Sequence, residues 1–316
     1  MSLRNCLCRL SIFMAALIFI AGQGISETKP GLNTNDTMGT LVTADWLSRH
    51  LDDPDLVILD CTVRIVPKEG GGMDAMSGRG DYEKGHIPSA QFADLMGDLS
   101  DVDSPMSYTL PTPEQFCAAM GALGVGDDSR VVLYDSYGSV WAARVWWMLR
   151  WAGFDNAALL DGGFRAWTAG GRPLSTEVVK PQMKMLTADP RPALIADRDE
   201  VFAAIEDDAV SLIDAMHKPH FTGQMVMYGR PGHIPGAVNI PAMSLLDETG
   251  NYQSHDDLAT MHEGDREGRV ITYCGAGIAA SSNAFILLRL GFTDVAVYMA
   301  SLQEWAADAA NPLVVD

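Results

Sequence analysis

Val270-Ile271-Thr272-Tyr273-Cys274-Gly275-Ala276-Gly277-Ile278-Ala279-Ala280-Ser281-Ser282 is the stretch on which the reading of this chain turns. Its first four residues form a short β-branched and aromatic run, the composition of a buried strand. Cys274 closes that run. Gly275 and Gly277 permit a tight loop with its amides turned inward. From Ala279 on, A-A-S-S-N-A-F-I-L-L-R-L carries a helical pattern that stops at Gly291. The thiol is therefore expected at the carboxyl end of a strand and in front of a helix N-terminus. That position favours the thiolate and binds anions. Two readings of Cys274 stand at this point: a nucleophilic thiolate, or a buried and inert cysteine.

Working outward, the stretch has a twin. Val131-Val132-Leu133-Tyr134-Asp135 matches Val270-Ile271-Thr272-Tyr273-Cys274, with Asp135 in place of the thiol. Leu56 to Asp60 (L-V-I-L-D) matches Val210 to Asp214 (V-S-L-I-D), and Gly85 to Ala90 (G-H-I-P-S-A) matches Gly232 to Ala237 (G-H-I-P-G-A). Arg150 to Phe154 is echoed by Arg289 to Phe292, and Gly162 to Trp167 by Ala300 to Trp305. The five matches keep one order, which is the mark of a duplicated domain and not of a short solenoid repeat. The expected organisation is one copy over residues 38–172, a linker over 173–193 that is Pro-containing and aperiodic, and a second copy over 194–316.

Each copy alternates short apolar strands with helices. In the first, helices are expected over 44–50, 113–123, 141–152 and 165–169, and strands over 56–60, 131–134 and 157–160. Such alternation implies an α/β fold with a mainly parallel sheet covered by helices on both faces. Ligands of such sheets bind beyond the carboxyl ends of the strands, where Cys274 sits.

Composition narrows the function classes. The 316 residues are 47% hydrophobic and 20% charged, enough apolar matter for two ordinary cores. The net charge is −19, and about −21 once Arg4 and Arg9 are subtracted with a leader. So acidic a chain repels nucleic acid and anionic membranes, and no basic patch is present to overcome this. Residues 1–26 read as a secretory signal peptide: basic Arg4 and Arg9, an apolar run from Leu10 to Ala21, then small and polar residues. The apolar run is too short for a typical membrane span. The expectation is a periplasmic or secreted protein with no stable membrane association after signal removal, and a flexible lead-in over 27–37. Cys6 and Cys8 leave with the signal. Cys61, Cys117 and Cys274 remain, an odd number that argues for at least one free thiol. No C-x-x-C pair or His/Cys cluster suggests a zinc site.

Strand-Asp, G-H-I-P-G-A, strand-Y-C-G-x-G, helix-G-F and a final Trp, duplicated with the thiol in the second copy alone, resembles the tandem-domain rhodanese family of thiosulfate and 3-mercaptopyruvate sulfurtransferases. Ala142 to Arg150 (A-A-R-V-W-W-M-L-R) is similar to that family's A-P-R-V-W-W-M-F-R helix, and Leu160 to Trp167 (L-D-G-G-F-R-A-W) to its L-D-G-G-x-x-x-W turn. The resemblance covers nearly all of residues 40–312. It implies two tandem rhodanese-like domains. Cys274 would take a sulfane sulfur from a small anionic donor as a persulfide and pass it to a thiophilic acceptor: cyanide, a thiol or a protein dithiol. Neither a metal nor an organic cofactor is implied. The amides of Gly275, Ala276, Gly277, Ile278, Ala279 and Ala280 would ring the sulfur, and Asp135 would leave the first half to wall the cleft.

The loop bears on the donor. In this family charged C-R-K-G-V-T loops go with thiosulfate and C-G-S-G-V-T loops with 3-mercaptopyruvate. Cys274 to Ala279 (C-G-A-G-I-A) is uncharged and closer to the second, although Ala276 and Ala279 lack its hydroxyls. Met216 and His220 stand at the arginine positions of the family's D-S-R-x-x-x-R-[FY], and Tyr298-Met299-Ala300-Ser301 departs from its Y-D-G-S. Arg230 and His220 are the candidates for holding a donor carboxylate, His220 when protonated; the plain alternative for Arg230 is a surface loop charge.

Other signals carry less. His86 and His233, in the repeated G-H-I-P segments, read as loop anchors. Trp141, Trp146, Trp147 and Trp151 fall at helical spacing and read as core. Met183, Met185, Met225 and Met227 with His217 and His220 could suggest copper(I), but Met is more often a gap filler. Residues 70–80 read as a flexible loop able to cover the cleft. Two competing functions stay open: a non-catalytic module that keeps the fold to carry sulfur or bind, and a cysteine phosphatase or arsenate reductase. The latter's C-x5-R loop fails here, because Ala280 holds the arginine position.

Overall fold

The computed structural model describes residues 37–69 and 73–316. The expected signal peptide, nearly all of the lead-in, and Gly70 to Gly72 lie outside the described residues. In the first half the chain runs β1 (Leu41–Val42), α1 (Ala44–His50), β2 (Leu56–Asp60), β3 (Val63–Pro67), β4 (Met73–Ser77), α2 (Arg79–Tyr82), β5 (Gln91–Phe92), α3 (Pro113–Ala122), β6 (Arg130–Tyr134), α4 (Val140–Trp151), β7 (Ala157–Leu160) and α5 (Gly163–Ala169). The second half runs β8 (Ile195–Ala196), α6 (Arg198–Ala204), β9 (Val210–Asp214), α7 (Lys218–Phe221), β10 (Val238–Asn239), α8 (His255–Met261), β11 (Arg269–Tyr273), α9 (Ile278–Arg289), β12 (Asp294–Tyr298) and α10 (Ser301–Trp305).

The two sheets are built alike. The first has strand order β1-β7-β6-β2-β5 and the second β8-β12-β11-β9-β10, every pairing parallel. Register repeats as well: Leu56 faces Arg130 through to Asp60 facing Tyr134, as Val210 faces Arg269 through to Asp214 facing Tyr273. A two-residue side-chain period lets one strand feed two cores. On β6, Val131 and Leu133 join the core beneath α3 and α4, while Val132 and Tyr134 join the one beneath α1 and α5. On β11, Ile271 and Tyr273 turn toward α6 and α10, and Val270 turns the other way.

Met38–Asp316 is one compact unit. The core on the inner faces of the sheets is continuous across the halves, because α4 packs on α9. Eleven of the twelve residues of α4 are buried, polar ones included, as a helix enclosed on all sides requires. Trp146 meets the Phe285 ring edge-on at 4.9 Å, and its indole nitrogen donates to the Ala157 carbonyl at 2.9 Å. An aromatic pair of this kind adds about 0.5–1.5 kcal/mol beyond its buried area.

Two expectations change. The segment 173–193 has almost no regular structure, yet it is not free. Ser175 pairs with His86, the Lys184 amide donates to the Gly121 carbonyl, and Asp189 and Arg191 amides donate to the Ala152 and Trp151 carbonyls. It is a strap along the first half, held by these backbone bonds and by side chains, Thr187 on Asp127 and Arg191 on Asp155, which no periodicity reveals. The expected flexible loop over 70–80 is also partly ordered: β4 pairs antiparallel with β3, and α2 starts at Arg79. This hairpin has no counterpart among the described residues of the second half.

Candidate active site

Cys274 is 2% exposed and directly follows β11, the middle strand of its sheet. Three residues, Gly275 to Gly277, separate it from the first residue of α9. Gly277, at φ 72°, caps the helix; a Cβ there would lie 2.5 Å from Arg144 Nη1 and 2.7 Å from the Met299 carbonyl oxygen. At Gly275 a Cβ would lie 2.0 Å from the Tyr228 hydroxyl oxygen. Both glycines therefore answer to close approach by other segments as well as to the turn.

The loop is held from behind by the start of α10. Ser301, at φ 52°, places its Oγ to accept from the Cys274 amide at 3.1 Å and the Gly277 amide at 3.2 Å, while donating to the Tyr298 carbonyl at 2.6 Å. The Leu302 and Gln303 amides donate to the carbonyls of Cys274 and Gly275 at 3.1 and 3.0 Å. The expected ring of amides from Gly275 to Ala280 is thus corrected at Gly277, whose N–H is committed to Ser301. The amides of Ile278, Ala279 and Ala280 sit in the first turn of a twelve-residue helix, where the ladder supplies no acceptor. With the helix dipole they form a positive end facing the thiol.

The twin loop indicates what such an arrangement holds. Asp135 is 1% exposed at the end of β6, and its carboxylate accepts four backbone N–H bonds: Oδ1 from Tyr137 at 2.7 Å and Ser139 at 3.0 Å, Oδ2 from Trp141 and Ala142 at 2.9 Å each. The loop wraps its own negative group. Burial pushes the Asp135 carboxyl up to about 6 even against those amides.

Residues from distant segments complete the surroundings of Cys274. Tyr228 abuts Gly275; burial, and then the charge of Cys274, push its phenol well above the ordinary value, so it stays a neutral donor. Arg144, on α4 in the first half, is fully buried and donates to the Gly277 carbonyl at 3.3 Å and the Tyr108 carbonyl at 2.7 Å. Tyr108, its phenol pushed up to about 12 by burial, lines the adjoining cleft. None of Tyr228, Arg144, Tyr108 and Ser301 stood among the expected site residues. Arg144 lay in the A-A-R-V-W-W segment, but only the packing of α4 on α9 brings it to the cysteine loop.

Ala276 forms part of the wall of a cleft of about 790 Å3. His220 lines it too, with its Nδ1 buried and without a hydrogen-bond partner among the described residues. The remaining lining is rich in methionine (Met73, Met96, Met106, Met225 and Met227), with Asp74 and Asp101 as acids and no Lys or Arg among the described residues. Arg230 is not part of it. Its Nε donates to the Ala306 carbonyl at 3.0 Å, and its Nη2 to those of Trp305, Asp308 and Asn311 at 3.3, 2.8 and 2.9 Å. The expectation of a donor-binding Arg230 is corrected: the side chain turns to the carbonyl-rich end of α10, where a cation caps unpaired acceptors. Tyr228, two residues earlier, is what this loop brings to the cysteine.

The lesser signals resolve in the same way. His86 and His233 are buried, each with Nδ1 on a carbonyl (Tyr82 at 2.7 Å, Phe221 at 2.8 Å) and its ring stacked on that same residue. Cys61 and Cys117 are buried and free, and burial raises both thiols, Cys117 to about 11. No helix among the described residues is long and apolar enough to cross a membrane.

A strand-end thiol in a glycine loop before a helix, on the second of two matched parallel sheets, defines a class. The rhodanese-like domain family matches residues 43–170 and 197–308. The chain belongs to the rhodanese family and is a sulfurtransferase. It is 33% identical over 285 residues to the probable 3-mercaptopyruvate sulfurtransferase of Pseudomonas aeruginosa, covering 86% of this chain and 97% of that one. To the 3-mercaptopyruvate sulfurtransferase of Escherichia coli it is 33% identical over 279 residues, covering 86% and 96%. The crystal structure of SseA from Escherichia coli, described as a 3-mercaptopyruvate sulfotransferase of the rhodanese fold, aligns with a TM-score of 0.74 at 31% identity, covering 84% of this chain and 99% of that one.

Proposed function

We propose that this protein moves a sulfane sulfur from 3-mercaptopyruvate, in preference to thiosulfate, to a thiophilic acceptor through a persulfide on Cys274. The observation that carries the reading is the pair of matched loops. One wraps a buried carboxylate with four amides; the other sets a cysteine at the same strand end, before the open first turn of α9. An enclosure suited to a negative group suits a thiolate, a persulfide anion and the charge that develops as the donor breaks.

In the first half-reaction the Cys274 thiolate attacks the donor sulfur. The S–S bond forms as the carbon–sulfur bond breaks, its electrons leave with carbon as the enolate, and a proton from solvent converts this to pyruvate. In the second, cyanide or a thiolate attacks the outer sulfur and the Cys274 thiolate departs. The cleft supports the donor preference: thiosulfate is a dianion, and the described lining offers His220 but no Lys or Arg. The neutral Tyr228 hydroxyl, which abuts Gly275, would donate to the incoming donor. Acceptors with an apolar surface suit the methionine walls.

The test is transfer to cyanide from each donor, with wild type and Cys274→Ser, together with the mass of the protein after donor alone. The wild type gains the mass of one sulfur and turns over with a higher kcat/KM for 3-mercaptopyruvate; Cys274→Ser does neither. Equal turnover by the two proteins would overturn the persulfide reading, and a large preference for thiosulfate would overturn the donor reading. We also propose export, on the basic and apolar runs before residue 27. Cell fractionation tests this, and an unprocessed chain in the cytoplasm would count against it.

A further inference from the structure

Arg144 presents an unresolved charge. It is 0% exposed, and no carboxylate lies within ion-pair distance of it among the described residues. Its partners are neutral: the Gly277 and Tyr108 carbonyls and the Met299 sulfur. Its Nε has no partner among the described residues. Leaving a buried cation in neutral surroundings is costly, and chains normally pair such a group or dispense with it. Burial lowers the Arg144 guanidinium to about 10, which still leaves it protonated at neutral pH, and the one charge acting in the opposite sense is that of Cys274.

We infer that Arg144, supplied by the half whose matching strand end carries Asp135, is the counter-charge of the Cys274 thiolate and persulfide. The inference rests on the reading of Cys274 as the sulfur carrier. The guanidinium reaches the loop at Gly277, the cap of α9, so its charge adds to the helix N-terminus from the side of the partner domain. Met299 matters by being neutral: a carboxylate there would consume the charge. Arg144 is a positioning residue, acting through its field and through Gly277. The persulfide anion formed in the first half-reaction carries the same single negative charge as the thiolate, so both resting states of the cycle keep the pair matched. The other titratable groups around the loop are Tyr228 and Tyr108, both kept neutral by burial, and in the cleft His220, Asp74 and Asp101.

The test needs no sulfur donor. Alkylation of Cys274 by iodoacetamide is followed across pH in the full chain, by the mass of the modified peptide, for wild type, Arg144→Met and Arg144→Lys. The expected result is about a tenfold slower reaction at neutral pH for Arg144→Met, with the pH midpoint raised by about one unit. Arg144→Lys keeps most of the wild-type rate. An unchanged midpoint in folded Arg144→Met would overturn the inference. So would equal slowing by Lys and Met with the midpoint fixed, which is the signature of a packing role. Should Arg144→Met not fold, Met299→Asp serves: the guanidinium stays but its charge is matched, and the midpoint must again rise; an unmoved midpoint overturns the inference. If the midpoint moves while wild type transfers no sulfur, the charge pairing stands and the proposed reaction fails. If transfer occurs and the midpoint is fixed, the reverse holds.

Discussion

Two loops of this molecule start from one plan and end in opposite states. After β6, five residues, Asp135 to Ser139, lead into α4; after β11, four, Cys274 to Gly277, lead into α9. The first loop closes on Asp135, whose two oxygens take four amides. The second places a thiol where the carboxylate would be and gives two amides, of Cys274 and Gly277, to the Ser301 hydroxyl behind it. A loop that satisfies itself is a structural plug. A loop braced from behind, with its helix end open, keeps amides for a ligand. The difference lies less in the glycines than in which oxygen, the loop's own or one from α10, consumes the amides.

The comparison can be broken at several points. The largest effect is expected at Gly275→Ala, whose Cβ would meet the Tyr228 hydroxyl oxygen at 2.0 Å. Displacing the loop or the tyrosine by an ångström should cost about 100-fold in kcat/KM. Adding Tyr228→Ala, which removes the ring carbons as well as the hydroxyl from the path of the Cβ, should restore part of the lost Cys274 alkylation rate, and a double mutant no better than the single would mean that the contact is unimportant. Next is Ser301→Ala, which strands two buried amides and should lower stability by about 1–3 kcal/mol in a urea titration. Activity should fall with it, because those amides fix Cys274; a stable and fully active variant would refute the bracing role.

Asp135→Asn comes third and concerns the closed loop. Its carboxyl titrates at about 6 in the folded protein against an ordinary 3.8. A raised folded value means that the stability contribution is full below the unfolded value and is lost as pH rises through about 6. The variant lacks this dependence. Its deficit, about 1–3 kcal/mol from amides facing an amide NH2 group, should be largest near pH 4 and shrink toward pH 7. Melts across that range check this, and a deficit growing with pH would reverse the sign. Sulfur transfer should not change. The smallest effect on catalysis is expected at Arg230→Ala: melting temperature falls because four carbonyls at the end of α10 lose their donor, while KM for 3-mercaptopyruvate holds. A large rise in KM would restore Arg230 to the site.

The cysteine loop was legible because its signal is local. Strand, thiol, glycine loop and helix follow one another in the chain, and the duplication exposed Asp135 as the counterpart of Cys274. The elements of the first half follow their patterns closely, with α1 over Ala44–His50 and β2 over Leu56–Asp60 as the periodicities predict. What proved illegible is non-local or is carried by the backbone. Arg230 lies beside the G-H-I-P loop in sequence, but the charge goes to the nearest set of unpaired carbonyls. The strap over 173–193 is held by main-chain bonds and by isolated side-chain pairs such as Arg191 with Asp155, on which hydrophobic patterns are silent. The β3–β4 hairpin flanks a glycine run that reads as coil.

The sequence by itself determined that the chain is a duplicated α/β protein, and that the second half carries a cysteine at a strand end before a helix where the first carries Asp135. Those follow from hydrophobic period, glycine placement and repetition, all of which act over a few residues. Only the tertiary structure decided what surrounds the cysteine loop: Ser301 from behind, Tyr228 across Gly275, Arg144 from the other half, and a methionine-walled cleft without lysine or arginine among its described residues. The physical reason is range. Backbone preference is settled within a turn or a strand, whereas the field and contacts at a buried group come from residues as far as 133 positions away, brought close by the packing of α4 on α9.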